Sequence, residues 1–177
     1  FNFEYGVTKS ASNEGKYRLI RITDINSLGQ LNEEEVFTEI TNTEMRYILN
    51  QGDLVMARTG ATFGKVLYFD SKTPSVFASF LIRFLPKNKE IDQKYVYYFC
   101  LSPRYWQQAN QLIDGGTQPQ FSSNKISQVK IPLPPLETQR QIVEKLDKQM
   151  QALEGVRLLK SEAEKRIEEI LKQVWGK

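Results

Sequence analysis

Two stretches of the chain concentrate residue types that bind phosphate or read bases. The first is Arg58-Thr59-Gly60-Ala61-Thr62-Phe63-Gly64-Lys65-Val66. Glycines ahead of a lysine invite a loop whose backbone N–H groups cradle a nucleotide phosphate. That loop needs four residues between its glycines, and a Ser or Thr after the lysine to hold magnesium. Here only Ala61, Thr62 and Phe63 separate the glycines, and Val66 follows Lys65. The spacing argues against nucleotide hydrolysis. Two compatible readings remain. The glycines supply positive φ for a turn between two strands, and Arg58, Thr59, Thr62 and Lys65 present donors to a phosphodiester or a base edge.

The second stretch, Gly115–Asn124, gathers Thr117, Gln118, Gln120, Ser122, Ser123 and Asn124. Amide side chains pair bidentately with adenine in the major groove, and hydroxyls are less selective. The alternative is an ordinary polar surface loop. Tyr95, Tyr97, Tyr98, Phe99, Tyr105 and Trp106 read as core between helix and sheet rather than as a base-stacking platform. Asp24, Asp53, Asp70 and Asp114 are scattered and match no metal-binding or acid–base pattern.

Composition narrows the chemistry further. The 177 residues include no histidine and one cysteine, Cys100. The commonest general base and metal ligand is therefore missing, so a zinc site is not expected. No cofactor motif is found. A lone cysteine excludes an internal disulfide and fits a reducing cytoplasm. The net charge of +3 permits an acidic partner without demanding one. Apolar runs such as Tyr95–Leu101 fall far short of the ~20 residues that span a bilayer, so no membrane partner is expected. No signal peptide is read, and the first residue is Phe rather than Met, as in a chain trimmed at its N-terminus.

These loops need a scaffold, and the sequence predicts a mixed one. Tyr17–Ile25, Val36–Ile40, Leu54–Ala57, Lys65–Phe69 and Pro74–Leu85 read as strands, the last stopped by Pro86. Asn42–Asn50 holds one or two helical turns. Ile91–Leu101 and Pro103–Ile113 read as helices, with Pro103 suited to a first helical turn. A turn at Ser122–Ser127 and a strand at Gln128–Leu133 complete an α+β domain over residues 1–133.

Residues 134–177 read as one long helix of coiled-coil type, after Pro132, Pro134 and Pro135. Ile142, Gln149, Val156, Ala163 and Ile170 form one line of a heptad repeat. Gln139, Leu146, Leu153, Lys160, Ile167 and Val174 form the other. Glu144/Lys148, Glu162/Arg166 and Glu168/Lys172 stand in the favourable i,i+4 order. A helix of ~40 residues is ~60 Å long. Ile142, Leu146, Leu153, Val156, Ile167, Ile170 and Val174 are the expected dimerisation residues; a helix folded back on its own domain is the alternative.

At this point the residues resemble a known family. Gly52-Asp53-Leu54-Val55, Ala57-Arg58-Thr59-Gly60, Gly64-Lys65-Val66, Gly115-Gly116-Thr117-Gln118 and Ile131-Pro132-Leu133-Pro134-Pro135-Leu136-Glu137-Thr138-Gln139-Arg140-Gln141-Ile142-Val143 occur in the order and spacing of the specificity (S) subunit of Type I restriction–modification systems. The similarity runs from about Tyr17 to the end, and its proline-to-helix segment is the most specific part. It implies a target-recognition domain followed by a conserved spacer helix. A full S subunit carries two such units. Their helices pair antiparallel and dock two methyltransferase (modification) subunits, and through them the restriction subunit, while each domain reads one half of a bipartite site in double-stranded DNA.

With one domain and one helix, the chain reads either as a natural half-subunit that homodimerises or as a fragment of a full subunit. The short segment that the resemblance implies ahead of the recognition domain is not found before Phe1–Val7. Because family members read different sequences, the resemblance implies that Arg58, Gly60, Gly64 and Lys65 shape the loop or hold phosphates. Base reading is then expected from Lys9–Lys16, Ser71–Ser75 or Gln118–Asn124. The expected function is non-catalytic DNA recognition. A dimerising adaptor that binds protein rather than DNA is the alternative.

Overall fold

The computed structural model describes residues 1–113 and 119–176. Its contacts divide the chain into two units, Phe1–Gln139 and Arg140–Lys177.

The first unit is built on two sheets. Strands β1 (Asn2–Tyr5), β4 (Leu54–Ala57), β5 (Val66–Tyr68) and β7 (Leu81–Leu85) form an antiparallel sheet in the order β1-β7-β4-β5. Strands β2 (Tyr17–Ile20), β3 (Phe37–Thr38) and β6 (Ser75–Phe77) form a smaller sheet, with β2 antiparallel to β3 and parallel to β6. All four residues of β4 are buried, as an uninterrupted apolar run at the centre of a covered sheet must be. Strand β2 shows the two-residue period instead. Ile20 joins a core with Val55, Ala57, Leu67, Phe77 and Leu81, whereas Tyr17 and Leu19 join Val7 and Val76 in a second cluster.

Buried Arg83 ties these layers together. Its guanidinium pairs with Glu4 of β1 and Asp53 before β4, and donates to the Arg46 and Ile48 carbonyls. Each acceptor offsets part of the cost of placing that charge indoors.

Helix α1 (Gln93–Cys100) packs on β5 and β4, and α2 (Pro103–Leu112) follows it. Asp92 caps α1 by accepting from the Lys94 and Tyr95 N–H groups. Ser102 caps α2 through the Tyr105 N–H, with Pro103 in the first turn. Burial pushes the Cys100 thiol far above its ordinary range, which makes it a packing residue rather than a nucleophile. Helix α3 (Ser123–Ile126) is a single turn, and α4 (Leu136–Trp175) is the long helix. Among the described residues no helix is long and apolar enough to cross a membrane, and no cluster of acidic or cysteine side chains is placed to hold a metal ion.

Four elements differ from the sequence reading. The Tyr17–Ile25 run is a strand only to Ile20; Ile22–Asp24 is a 3-10 turn, fixed by the Asp24 carboxylate, which accepts from the Arg21 N–H (2.8 Å). The Pro74–Leu85 run is two strands in different sheets. Between them Leu81 N–H closes a turn on Ala78 O (2.8 Å), and Ser79 N–H bonds Val7 O (2.8 Å). The Gln128–Leu133 segment starts in a turn, with Gln128 N–H on Lys125 O (3.0 Å), and pairs with no strand among the described residues. Side chains hold it instead: Gln108 bonds both the N–H (2.8 Å) and the carbonyl (3.1 Å) of Lys130, and the Tyr95 hydroxyl donates to Pro132 O (2.8 Å). Pro132 has no N–H to offer a neighbouring strand. The N-terminal residues, for which no element was expected, form β1, paired along β7 from Asn2↔Leu85 to Tyr5↔Ile82.

Candidate nucleic-acid interface

Strand β4 ends at Ala57 and delivers Arg58 to the surface. The backbone of Arg58 is fixed on both sides. Its N–H donates to Phe80 O (3.0 Å), and its carbonyl accepts from Phe121 N–H (2.7 Å). The guanidinium lies over the Tyr5 ring (5.2 Å to the centroid) and the Phe80 ring (5.6 Å), and its Nε donates to Ser79 O (3.1 Å). Among the described residues its two outer nitrogens have no hydrogen-bond or ion-pair partner. With Nε anchored, the two outer nitrogens remain as the forked donors by which arginine grips phosphate or guanine.

The next turn is stapled twice. Thr59 is buried and pairs with Gln120 across an antiparallel bridge. Gln120 Nε2 donates to Thr59 Oγ1 (2.9 Å), and Gly60 N–H donates to Pro119 O (3.2 Å). On the other flank Tyr105 donates its hydroxyl to Gly64 O (2.9 Å), and burial raises that phenol well above its ordinary range, so it stays a donor. Phe63 packs edge-on against Trp106 and Phe121.

Gly60 and Gly64 both have positive φ, 69° and 75°. A methyl on Gly64 would also meet the Tyr105 hydroxyl at 2.9 Å. Position 64 therefore needs glycine twice over, for its φ and for the close approach of the helix.

The predicted residues thus take different places. Arg58 and Lys65 are half-buried, and Thr62 donates weakly to Thr59 O (3.4 Å). Thr59 and Gln120 bind each other. Ser122 starts α3 and Asn124 is exposed within it, its carbonyl accepting from Ser127 Oγ (2.8 Å). Thr117 and Gln118 lie outside the described residues.

Of the other stretches considered for base reading, Ser71 and Ser75 turn onto their own loop, bonding Thr73 N–H (3.1 Å) and Thr73 O (2.8 Å). Lys9 pairs with Glu44 (2.9 Å). The Glu44 carboxyl is held down at about 2, first by the Thr41 N–H and then by Lys9. Tyr5 and Phe80 were not singled out from sequence. Tyr5 is steadied by its hydroxyl against Ser123 Oγ (3.1 Å), and Phe80 was hidden inside what read as one continuous strand.

The family model described as the Type I restriction modification DNA specificity domain matches residues 4–173. The Type I restriction enzyme MjaVIII specificity subunit of Methanocaldococcus jannaschii is 27% identical over 134 residues, covering 73% of this chain and 32% of that protein.

Among solved structures, one chain from work on complex assembly and conformational transition of the type I R-M system superposes with a TM-score of 0.65 at 19% identity. It covers 98% of this chain and 48% of its own. The HsdS subunit from Thermoanaerobacter tengcongensis superposes with a TM-score of 0.61 at 19% identity, covering 97% of this chain and 47% of its own. The chain therefore spans about a third to a half of the length of these relatives, and it shares their mixed sheet-and-helix fold with its long C-terminal helix. With a match that runs nearly end to end, the chain belongs to the Type I restriction–modification DNA specificity domain family.

Proposed function

We propose that this chain is a sequence-specific DNA-recognition unit of a Type I restriction–modification complex, reading one half of a bipartite site. The observation that carries the reading is Arg58, stacked between Tyr5 and Phe80 with its outer nitrogens free of described partners. Arg58 and Lys65 hold phosphates and set the domain's register on the duplex. The polar stretch from Thr117 to Asn124, whose Gln120 bridges Thr59, supplies base contacts. Chemistry comes from methyltransferase subunits, and through them the restriction subunit. Nothing observed favours a protein-binding adaptor.

The helix supplies the second half of the reading. Leu146, Leu153, Val156, Ile167, Ile170 and Val174 are all exposed in the single chain, at 37–63% of their surface. With Ile142 they form a stripe that pairs with a second helix, from another copy or from the other half of the same subunit. Closed two-fold pairing is the commonest solution, and it would make the DNA site an interrupted palindrome.

Titration of duplex DNA at two salt concentrations tests the phosphate assignment. Arg58→Ala and Lys65→Ala should each weaken binding similarly on every sequence and flatten the salt dependence by about one slope unit per lost contact. Wild-type affinity at every salt in the double variant would remove both residues from the interface.

A further inference from the structure

The exposed ring of Phe80 has a task of its own. Phe80 is 51% exposed, while Phe77 and Leu81 on either side of its turn are fully buried. The ring is not on a loose loop. The turn is closed by Leu81 N–H on Ala78 O (2.8 Å), pinned by Ser79 N–H on Val7 O (2.8 Å), and held by Arg58 N–H on Phe80 O (3.0 Å). The fold thus presents a large apolar side chain to solvent on a fixed mount, in place of burying it. Phe80 also rims a cleft of about 360 Å³ with Thr8, Lys9, Arg21 and Thr23.

What sits beside the ring selects its partner. The Arg58 guanidinium is 5.6 Å from the Phe80 centroid, with Nε spent on Ser79 O. An apolar face and an outward cation are thereby offered side by side. On duplex DNA one nucleotide answers both. Thymine carries its C5 methyl on the major-groove edge, on the same nucleotide as a backbone phosphate. Cytosine has only hydrogen at that carbon, and the purines have no such methyl.

We infer that Phe80 is a specificity-determining residue that contacts the C5 methyl of a thymine in the recognised half-site, while Arg58 takes the phosphate of that nucleotide. Tyr5, braced by Ser123, also packs on Arg58; Phe80 keeps half of its surface exposed for the base. The inference rests on the DNA-recognition reading above.

Uracil substitution tests it without altering the protein. The recognised sequence is first selected by the wild-type chain from random duplexes. Each thymine of that sequence is then replaced singly by uracil, which deletes the methyl and keeps the pairing edge. One position should show a loss of about fourfold, the factor that one buried methyl carries. The same position should be indifferent to uracil in Phe80→Ala, with the thermal melt unchanged because the ring is exposed. Arg58→Ala should lower affinity for the thymine and uracil duplexes by equal factors. Indifference of the wild type to uracil at every position, a half-site without thymine, or an undiminished uracil loss in Phe80→Ala would overturn the inference. Failure of the wild type to select any sequence would instead overturn the DNA reading on which it stands.

Discussion

The domain and the helix handle their polar and apolar groups in opposite ways. In the domain, long polar side chains bridge segments far apart in the chain: Gln120 to Thr59, Gln108 to Lys130, and Gln139 to Glu90 and Asp92. Most of its large apolar side chains are inside. Along the helix, charged groups pair one turn away, as in Lys148–Glu144, Arg157–Glu154 and Lys172–Glu168. There the apolar groups stand in water, Val156 at 63% and Val174 at 60% exposure. Local pairs of this kind contribute only ~0.2–0.5 kcal/mol each, and most helical stability in proteins comes from packing of an apolar face. The domain has completed its core within one chain, while the helix leaves an apolar stripe exposed.

The sharpest break in that comparison would come from the stripe. In the paired helix, Leu146→Ala and Leu153→Ala should each cost about 2–5 kcal/mol of association energy if fully buried there. Sedimentation equilibrium should show the double variant shifted from dimer to monomer, with the domain's unfolding midpoint unchanged. A wild-type chain that stays monomeric at every concentration would end the self-pairing reading and point to the other half of one subunit as the partner.

The domain answers to a different substitution. Phe121 is fully buried beneath the Thr59–Gly64 turn and packs edge-on with Phe63. Phe121→Ala should cost about 3–5 kcal/mol of domain stability, read by denaturant unfolding, and loosen the mount of Arg58. Unaltered stability would mean that the turn holds itself without its apolar floor.

A smaller effect is expected at Gln139, where the first turn of the helix belongs to the domain's compact unit. Its side chain accepts from Asp92 N–H (3.0 Å) and donates to Glu90 O (2.9 Å) and Pro134 O (2.8 Å), with no exposed surface. Gln139→Leu keeps the bulk and leaves those backbone groups unpaired, which should cost about 1–3 kcal/mol. Unchanged urea unfolding would show that water replaces the amide.

Much of this was legible in the sequence, and the exceptions have physical causes. Fully apolar β4, the caps at Asp92 and Ser102, and the prolines ahead of the long helix are local signals, and the structure shows their elements. The Pro74–Leu85 run misled because a turn made by tertiary bonds to Val7 and Arg58 leaves no local mark in an apolar stretch. Gln128–Leu133 misled because side chains of α1 and α2, rather than a neighbouring strand, hold this branched apolar segment. At the candidate site the glycine turn was readable from residue types. The stack of Tyr5, Arg58 and Phe80 was not, because its members come from three separate strand ends. Gln139 was placed on a dimer line by its spacing; its burial depends on the Glu90–Asp92 backbone, which no periodicity reports.

The most direct test is to sequence modified bases in the genome of a host that carries this chain with its methyltransferase subunits. The account predicts methylation at a two-part, interrupted motif that vanishes when the chain is deleted and returns when it is restored. A methylation pattern identical with and without the chain would contradict it.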